Sequence, residues 1–275
     1  MISLCLPASR FFGVGRRLCL LYSSFRMKSE GPLEWYYDSG REISMKIHGF
    51  QKTTLLDYPE HVAATIFLGG CNFRCPFCHN GQLVLDPASQ PVIPEDEVLA
   101  YLEKRHGILE GVCITGGEPT LQEELADFIQ RIKGLGYMVK LDTNGYRPEV
   151  LKALLQKGLL DYVAMDIKAS PEHYSVAAGL ETLDMTRIRE SIRLLEQSGI
   201  PHEFRTTVVK GIHRTEEFDE IGRLLQGCTA YYLQGFRRSE SMIGEGYEAF
   251  SVEEMKEMAA LAEKYLNRVE LRGVE

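Results

Sequence analysis

Three of this chain's cysteines stand within eight residues, in the run Cys71-x3-Cys75-x2-Cys78, and no fourth cysteine lies nearby in the sequence. Thiolates are the usual ligands of iron–sulfur clusters, and a four-iron cluster normally takes four of them. Three ligands on one short loop would leave one iron without a protein ligand. The spacing therefore predicts a [4Fe-4S] cluster whose open iron is free to bind a substrate or a cofactor.

Other uses of the cysteine loop stay open on the residues alone. Spacings of four and three also place residues on one face of a helix, so a helical core is one alternative. Gly69-Gly70 before the loop and Pro76 inside it argue against a helix. A structural zinc ion needs four ligands, and His79, directly beside Cys78, is poorly placed to supply the fourth. A disulfide framework does not suit so long a chain with seven cysteines.

Composition narrows the class of protein. The chain has 275 residues, of which 44% are hydrophobic and 25% are charged, as expected of one sizeable globular domain. A net charge of −8 and a sequence pI of about 5.5 give no support for a nucleic-acid surface. No apolar run is long enough to span a bilayer. The scattered remaining cysteines suit a reducing compartment, so we expect a cytoplasmic protein without a nucleic-acid or membrane partner.

The first 44 residues differ from the rest of the chain. Residues 1–29 contain five basic residues and no acidic one, interspersed with Leu, Phe and Ser. This composition resembles a transit peptide or a poor secretory signal without a convincing cleavage site. Strongly patterned sequence begins at Met45, which also fits a translation start. We therefore expect residues 1–44 to be an N-terminal extension, disordered or mis-assigned, and residues 45–275 to form one core domain.

Strand-like and helix-like segments alternate from Met45 onward. The predicted strands are apolar runs over residues 61–68, 111–115, 137–141, 162–167, 203–209 and 230–234. The predicted helices span residues 94–106, 120–134, 148–157, 184–197, 215–225 and 251–266. Capping boxes are predicted at Thr120-x-x-Glu123 and Ser251-x-x-Glu254. Six βα units are too few for a closed eight-stranded barrel, so the pattern predicts an α/β fold with a partial (β/α)6 barrel.

Unusual glycines and polar residues stand at the carboxyl ends of the predicted strands. In chain order these are Cys71, Gly116-Gly117-Glu118-Pro119, Asp142-Thr143-Asn144-Gly145, Asp166 with Lys168, Arg205 and Gln234. Each motif taken alone is a plausible turn, and Asn-Gly in particular is a common turn dipeptide. Ligands bind at the carboxyl ends of parallel strands, so the motifs together predict one binding site at that rim.

Two of these motifs together carry a family resemblance that covers residues 45–275. Cys-x3-Cys-x-Phe-Cys with Gly-Gly-Glu-Pro resembles the radical S-adenosylmethionine superfamily. Cys78-His79-Asn80 is similar to the glycyl-radical-enzyme activating enzymes. The opening run IHGFQKTTLLDYP at residues 47–59 most resembles anaerobic ribonucleoside-triphosphate reductase activating proteins, and YLQGFR at residues 232–237 supports that branch. Formate-lyase activators use a histidine near strand six where this chain has the Gln234 region, which argues against formate-lyase activation.

The resemblance implies a role for each residue at the rim. The three cysteines would ligate the cluster, and the amine and carboxylate of S-adenosylmethionine would chelate the open iron. Gly116 and Gly117 would let the backbone approach the methionyl amine, and Lys168 would pair with the carboxylate. The other implied cofactor contacts are Phe77 near the adenine, Arg205 beneath the ribose, and His79, Glu118, Thr143, Asn144 and Asp166. A monovalent cation is also implied, with ligands from Asp142, Thr143 and Asp166.

The resemblance also implies the reaction and the partners. One electron from a flavodoxin or ferredoxin type reductant would split S-adenosylmethionine into methionine and a 5′-deoxyadenosyl radical. That radical would remove a Cα hydrogen from a glycine of a glycyl radical enzyme, expected to be an anaerobic ribonucleotide reductase. The segment 236–250 would receive the glycyl peptide or form an ordinary surface connection. A radical enzyme acting on a small molecule such as a deazapurine precursor, and a non-enzymatic zinc-binding module, are the alternatives.

Overall fold

Eight strands form one continuous sheet in the computed structural model, which describes residues 44–274. The strands lie side by side in chain order: β1 (Ile47–Thr54), β2 (Ala63–Leu68), β3 (Gly111–Gly116), β4 (Met138–Thr143), β5 (Tyr162–Asp166), β6 (His202–Val208), β7 (Tyr231–Gly235) and β8 (Val269–Arg272). β1 pairs antiparallel with β2, and every later pair of neighbours is parallel. The predictions for residues 1–43 lie outside the described residues.

Helices connect the parallel strands and have apolar faces that join the core. They are α1 (Gly81–Leu85), α2 (Glu95–Lys104), α3 (Leu125–Gly134), α4 (Pro148–Gln156), α5 (Tyr174–Ala177), α6 (Met185–Ser198), α7 (Glu217–Leu224) and α8 (Val252–Ala262). Each strand from β2 to β7 is followed by at least one helix, which confirms the predicted partial (β/α)6 barrel. Within residues 44–274, no helix has the length and apolar character needed to cross a membrane.

All six predicted strands are present, with ends that agree to within two residues. The sequence analysis did not predict β1 and β8, which form the two edges of the sheet. Only the first and last residues of β1, Ile47 and Thr54, are buried, so its sequence lacks the apolar run of the central strands. β8 has four residues and none of them is buried. An edge strand packs against one neighbour only, which weakens its sequence pattern.

One predicted capping box is confirmed and the other is wrong. The Ser251 hydroxyl accepts a hydrogen bond from the Glu254 N–H at 3.2 Å, and the Glu254 carboxylate accepts one from the Ser251 N–H at 2.7 Å. Thr120 instead lies in a short 3-10 helix that ends before α3 begins. Its hydroxyl donates to the buried carboxylate of Glu118 at 2.5 Å. Thr120 cannot cap α3, because it lies too far ahead of that helix.

The barrel interior is polar, whereas the layer between strands and helices is apolar. In β4, Val139 and Leu141 belong to the apolar core, while Lys140 and Asp142 contact residues of other strands across the barrel. This alternation follows from the two-residue period of a strand. Polar residues of neighbouring strands are thereby brought together inside the barrel, at the carboxyl ends where the predicted site lies.

Candidate functional site

A cavity of about 180 Å³ opens at the carboxyl ends of the central strands. Its lining contains all but one of the residues predicted to hold the cluster or S-adenosylmethionine, namely Cys71, Cys75, Phe77, Cys78, His79, Gly116, Gly117, Glu118, Thr143, Asn144, Asp166 and Lys168. Arg205 is not part of the lining. The lining also contains Phe73, Asn80, Val84, Thr115, Asp142 and Thr207. The fold therefore gathers motifs from separate strands around one space.

The three cysteines lie on the loop between β2 and α1. Cys75 is buried, and Cys71 and Cys78 are half-buried. Burial raises the pKa of the Cys71 thiol to about 12 and that of Cys75 to about 11, and it also raises the pKa of Cys78. Such thiols ionise when a positive charge compensates for burial, and a bound metal centre deprotonates a coordinating thiol outright. The three thiols of the loop therefore have the donor chemistry that a metal centre requires.

The donor set of the loop bears on the kind of metal centre. Among the described residues, no group of three or more His, Cys, Asp or Glu side chains is arranged to hold one metal ion. A four-iron cluster binds each thiolate through a different iron, so its ligands need not converge on one point. The three cysteines of the loop are therefore compatible with a four-iron cluster that keeps one open iron.

Hydrogen bonds attach the cysteine loop to the turns after β3 and β4. The Asn80 amide donates to the carbonyl oxygen of Gly116 at 2.8 Å. The Cys71 sulfur accepts from the Phe73 N–H at 3.4 Å and from the Asn144 amide at 3.8 Å. The sequence analysis assigned no role to Asn80, although the Cys-His-Asn signature drew attention to it. Its contact holds the loop against the glycine turn.

The protein backbone itself requires the two glycines of the Gly-Gly-Glu-Pro turn. Gly116 has φ of 117°, a conformation that favours glycine. A Cβ atom on Gly116 would lie 2.3 Å from the Leu68 carbonyl oxygen, and one on Gly117 would lie 1.9 Å from that of Gly70. The sequence analysis expected these glycines to admit a cofactor. The contacts show that they also allow the β3 turn to pass close to the end of β2.

Glu118 is a buried carboxylate held by uncharged donors. It accepts hydrogen bonds from the Thr120 N–H at 3.2 Å and hydroxyl at 2.5 Å, from the Thr143 hydroxyl at 2.7 Å and from the Asn144 N–H at 2.7 Å. Burial raises the pKa of Glu118, although these hydrogen bonds oppose the increase. Glu118 thus joins the turns after β3 and β4 and positions Asn144 beside Cys71.

Five side chains of alternating charge form a row of ion pairs, which we call the charge ladder: Lys140, Asp142, Arg205, Asp166 and Lys168. Asp142, Asp166 and Lys168 line the cavity, and Lys140 and Arg205 do not. Lys140 contacts Asp142. Arg205 lies 3.3 Å from Asp142 and 2.9 Å from Asp166, and Lys168 lies 3.1 Å from Asp166. Burial alone would raise the pKa of Asp166, but Arg205 and Lys168 outweigh it and lower the pKa to about 2. The same balance, with Arg205 and Lys140, lowers the pKa of Asp142.

The ladder gives Arg205 a second role and includes a residue that was not predicted from the sequence. The guanidinium of Arg205 is engaged by the carboxylates of Asp142 and Asp166, and its contact beneath the ribose stays a prediction. Lys140 was not predicted to have any role. An isolated lysine within an apolar strand forms no motif, and only the pairing of neighbouring strands shows which carboxylate it contacts.

Aromatic rings flank the cysteine loop. Phe77 is buried with its ring centroid 6.2 Å from that of His213, and His79 is exposed with its ring 5.8 Å from that of Phe236. His213 donates through Nε2 to the Lys168 carbonyl at 2.7 Å, while its Nδ1 accepts a backbone N–H at 3.0 Å. Both nitrogens are used, which fixes one neutral tautomer. His213 was not predicted from the sequence, since no motif surrounds it.

Comparisons with known proteins identify the family of this chain. The family model of the radical SAM superfamily matches residues 65–225. A protein of Methanocaldococcus jannaschii, provisionally named a glycyl-radical enzyme activating enzyme, is 30% identical over 237 residues, covering 83% of this chain and 96% of that protein. A protein of Thermococcus kodakarensis, provisionally named a GTP 3′,8-cyclase, is 35% identical over 156 residues, covering 55% of this chain and 48% of that protein.

A solved structure has a similar fold. Streptococcus suis SuiB bound to S-adenosylmethionine has a TM-score of 0.56 at 12% identity, and the match covers 75% of this chain and 51% of SuiB. The chain spans about half the length of that structure, and so low an identity concerns the fold alone. The family match, in contrast, extends over more than half of the chain. The chain therefore belongs to the radical S-adenosylmethionine superfamily of enzymes, whose cofactors are a [4Fe-4S] cluster and S-adenosylmethionine.

Proposed function

We propose that this protein is an activating enzyme that generates a glycyl radical on a partner protein. Anaerobic ribonucleoside-triphosphate reductase is the first candidate for that partner. The M. jannaschii relative supports this proposal, because its match covers most of this chain and nearly all of that protein. A flavodoxin or ferredoxin type reductant and a cytoplasmic location belong to the same proposal. Free thiols such as the five in the described residues suit a reducing compartment.

The residues of the cavity have separable roles in this proposal. Cys71, Cys75 and Cys78 would hold the cluster, and Lys168 would pair with the carboxylate of S-adenosylmethionine. When bound, the two cofactors supply a one-electron cleavage that yields a carbon radical. The protein contributes position and charge: Glu118 fixes the turn that carries Asn144, and Asp166 holds the Lys168 ammonium at 3.1 Å.

The charged side chains that line the cavity indicate which class of substrate suits it. Lys168 is the one lysine or arginine among the lining residues of the described cavity, and Asp142 and Asp166 line it as well. Recognition of a triphosphate uses several cationic side chains, arginine above all. A glycyl segment of a protein has no comparable charge to neutralise. This lining therefore favours a peptide over a nucleoside triphosphate.

The segment 236–250, which we call the strap, offers a place for that peptide. It leads from β7 to α8 and contacts the cysteine loop. The Gly244 N–H donates to the Pro76 carbonyl at 2.7 Å, and the Ser241 hydroxyl donates to the carbonyl of His79. A peptide that docks along the strap would lie beside the cavity. We propose that the partner's glycyl segment binds there.

The experiment that tests this proposal is anaerobic. The protein reconstituted with iron and sulfide is mixed with S-adenosylmethionine, dithionite and the candidate reductase, and the glycyl radical is measured by electron paramagnetic resonance. We expect a radical that requires all components and disappears when the partner's glycine is replaced by alanine. S-adenosylmethionine cleavage without any radical on the reductase would show that the partner is wrong.

A radical enzyme acting on a small molecule is the second candidate. The T. kodakarensis relative favours it, although that match covers about half of each chain. Incubation with GTP and with deazapurine precursors, followed by product analysis, separates the two candidates. Turnover of a small molecule in the absence of any protein partner would replace the activase proposal. Iron and sulfide analysis of the anaerobically purified protein tests the zinc-module alternative in the same preparation.

A further inference from the structure

The residues expected to hold a monovalent cation do not fit that role. The Asp142 carboxylate is engaged by Lys140 and Arg205, and the Asp166 carboxylate by Arg205 and Lys168. The Thr143 hydroxyl donates to Glu118 at 2.7 Å and accepts the Gly145 N–H at 3.1 Å. Each of the three expected ligands thus has protein partners that occupy its oxygen atoms.

Lys140 is the unusual member of this arrangement. Its side chain is 2% exposed, deep inside the barrel. Apart from Asp142, its ammonium lies 3.7 Å from the Cys113 sulfur and 6.0 Å from the ring centroid of Tyr162. A thiol and a phenol ring do not neutralise a buried ammonium, which needs an anionic partner. Asp142 is therefore the group that allows Lys140 to stay charged.

The charge ladder has three cations and two carboxylates, so that each carboxylate has two cationic partners. Glu203 lies 4.0 Å from Arg205, but it is bound by both guanidinium nitrogens of Arg272 at 2.9 and 2.8 Å. Its charge is thus already matched by a separate cation. An additional cation beside either carboxylate would be repelled by the ammonium and guanidinium groups already bound to it.

We infer that Lys140 is a built-in cation: with Arg205 it holds Asp142 in place, so the protein binds S-adenosylmethionine without an alkali-metal ion. Lys140 does not line the cavity and acts through Asp142, so it is a positioning residue. This inference rests on the proposed function in one respect, namely that the cavity binds S-adenosylmethionine. A bound monovalent cation, as the family resemblance implies, is the opposite outcome of the test below.

The test measures binding rather than turnover. The affinity of the anaerobically reconstituted protein for S-adenosylmethionine is determined by equilibrium dialysis in sodium, potassium and choline chloride at equal ionic strength. We expect the wild-type affinity to be the same in all three salts. In Lys140→Met, Asp142 loses one of its two cations. We expect its affinity in choline to fall about tenfold, within the usual range of coupling between neighbouring sites, and to recover when sodium or potassium is added.

A matched control is Lys133→Met, which removes a lysine that pairs with Asp161 at 2.6 Å away from the cavity. Its affinity should equal that of the wild type in every salt. A wild-type affinity that rises several-fold with sodium or potassium would overturn the inference, and this comparison holds even if Lys140→Met fails to fold. A folded Lys140→Met protein with unchanged affinity in all salts would also overturn it. Absence of binding in every salt would contradict both this inference and the proposed function.

Discussion

Glu118 and Asp166 are carboxylates that line the same cavity, and their surroundings are opposite in kind. Glu118 accepts four hydrogen bonds from uncharged donors, and burial raises its pKa. Asp166 is bound by Arg205 and Lys168, which lower its pKa to about 2 in spite of burial. Uncharged donors fix the orientation of a carboxylate, but they leave the burial of its negative charge unfavourable in free energy. Cations offset that cost and create an electric field at the cavity.

The environments of the two carboxylates have different roles in the site. The region around Glu118 determines shape, since it connects two turns and positions Asn144 against Cys71. The charge ladder determines electrostatics, since it presents the Lys168 ammonium to the cavity. Perturbing the first region should therefore affect stability and geometry, whereas perturbing the second should also affect the binding of a charged cofactor. The following predictions test this distinction.

The largest effect is expected from the cysteine loop, because its thiols would bind the cluster. Replacing Cys71, Cys75 or Cys78 with alanine should abolish cleavage of S-adenosylmethionine, because no spare cysteine lies near the loop to replace the lost ligand. Cleavage with dithionite and the content of iron and sulfide measure this outcome. Cys228→Ala is the control, because that thiol contacts Glu196 at 3.2 Å outside the cavity lining. Near-normal turnover in any of the three loop variants would exclude the proposed ligand set.

Breaking the charge ladder should cost the most stability. Asp142→Asn leaves Lys140 and Arg205 without one carboxylate, and breaking a buried ion pair typically lowers the free energy of unfolding by about 3–5 kcal/mol. The measurement is anaerobic urea unfolding followed by circular dichroism. Asp161→Asn is the matched control, because it removes a carboxylate from the more exposed pair with Lys133. We expect a smaller loss there, and equal losses would argue that the ladder has no special role.

Lys168→Ala should separate cofactor binding from cluster assembly. The variant should keep the absorbance of its cluster, since no cysteine is changed. Loss of a bond between charged groups typically costs about 1.5–3 kcal/mol, which corresponds to an affinity for S-adenosylmethionine about tenfold to hundredfold weaker. Titration with the cofactor measures it. An unchanged affinity would remove Lys168 from the binding site.

Glu118→Gln should have a smaller effect than Lys168→Ala on the affinity for S-adenosylmethionine, and it should act mainly on stability. The amide has one acceptor oxygen, so donors that now point at the second carboxylate oxygen lose their partner, at a cost of about 1–3 kcal/mol. The loss of the buried negative charge offsets part of this cost. We expect reduced stability in urea and S-adenosylmethionine affinity within a few-fold of wild type. An affinity loss as large as that of Lys168→Ala would contradict the distinction between the regions.

The dependence of stability on pH should have opposite signs in the two regions. The folded pKa of Asp166, about 2, lies below its ordinary value of 3.8, so its contribution is present above pH 3.8 and is lost as pH falls toward 2. The folded pKa of Glu118 lies above its ordinary value of 4.5, so stability falls as pH rises from 4.5 through that raised value.

Unfolding measured across this range should distinguish two variants. Asp166→Asn should reduce the loss of unfolding free energy on the acid side of the profile. The reduction should be about 1 kcal/mol after allowance for solvent screening. Glu118→Gln should flatten the decline above pH 4.5. If both variants alter the same side of the profile, the contrast between the two carboxylates is wrong.

The fold could be predicted from the sequence where elements are buried on both sides. The six central strands are apolar runs, and their order along the chain specifies parallel neighbours joined by helices. β1 and β8 were not predicted, because each pairs with one neighbouring strand only and has few buried residues. The Thr120 capping box was wrong because a buried carboxylate two residues earlier accepts the hydroxyl, which local sequence does not show.

The sequence by itself determined which chemical groups stand at the rim, because cysteine spacing, glycine turns and strand ends are local properties. Only the tertiary structure decided how those groups are engaged. Lys140, Arg205 and Lys168 come from three different strands or their ends, and strand register decides which carboxylates they contact. An ion pair depends on distances of a few ångströms between residues that are tens of positions apart. Packing sets those distances, so the charge around the cavity is a property of the folded barrel.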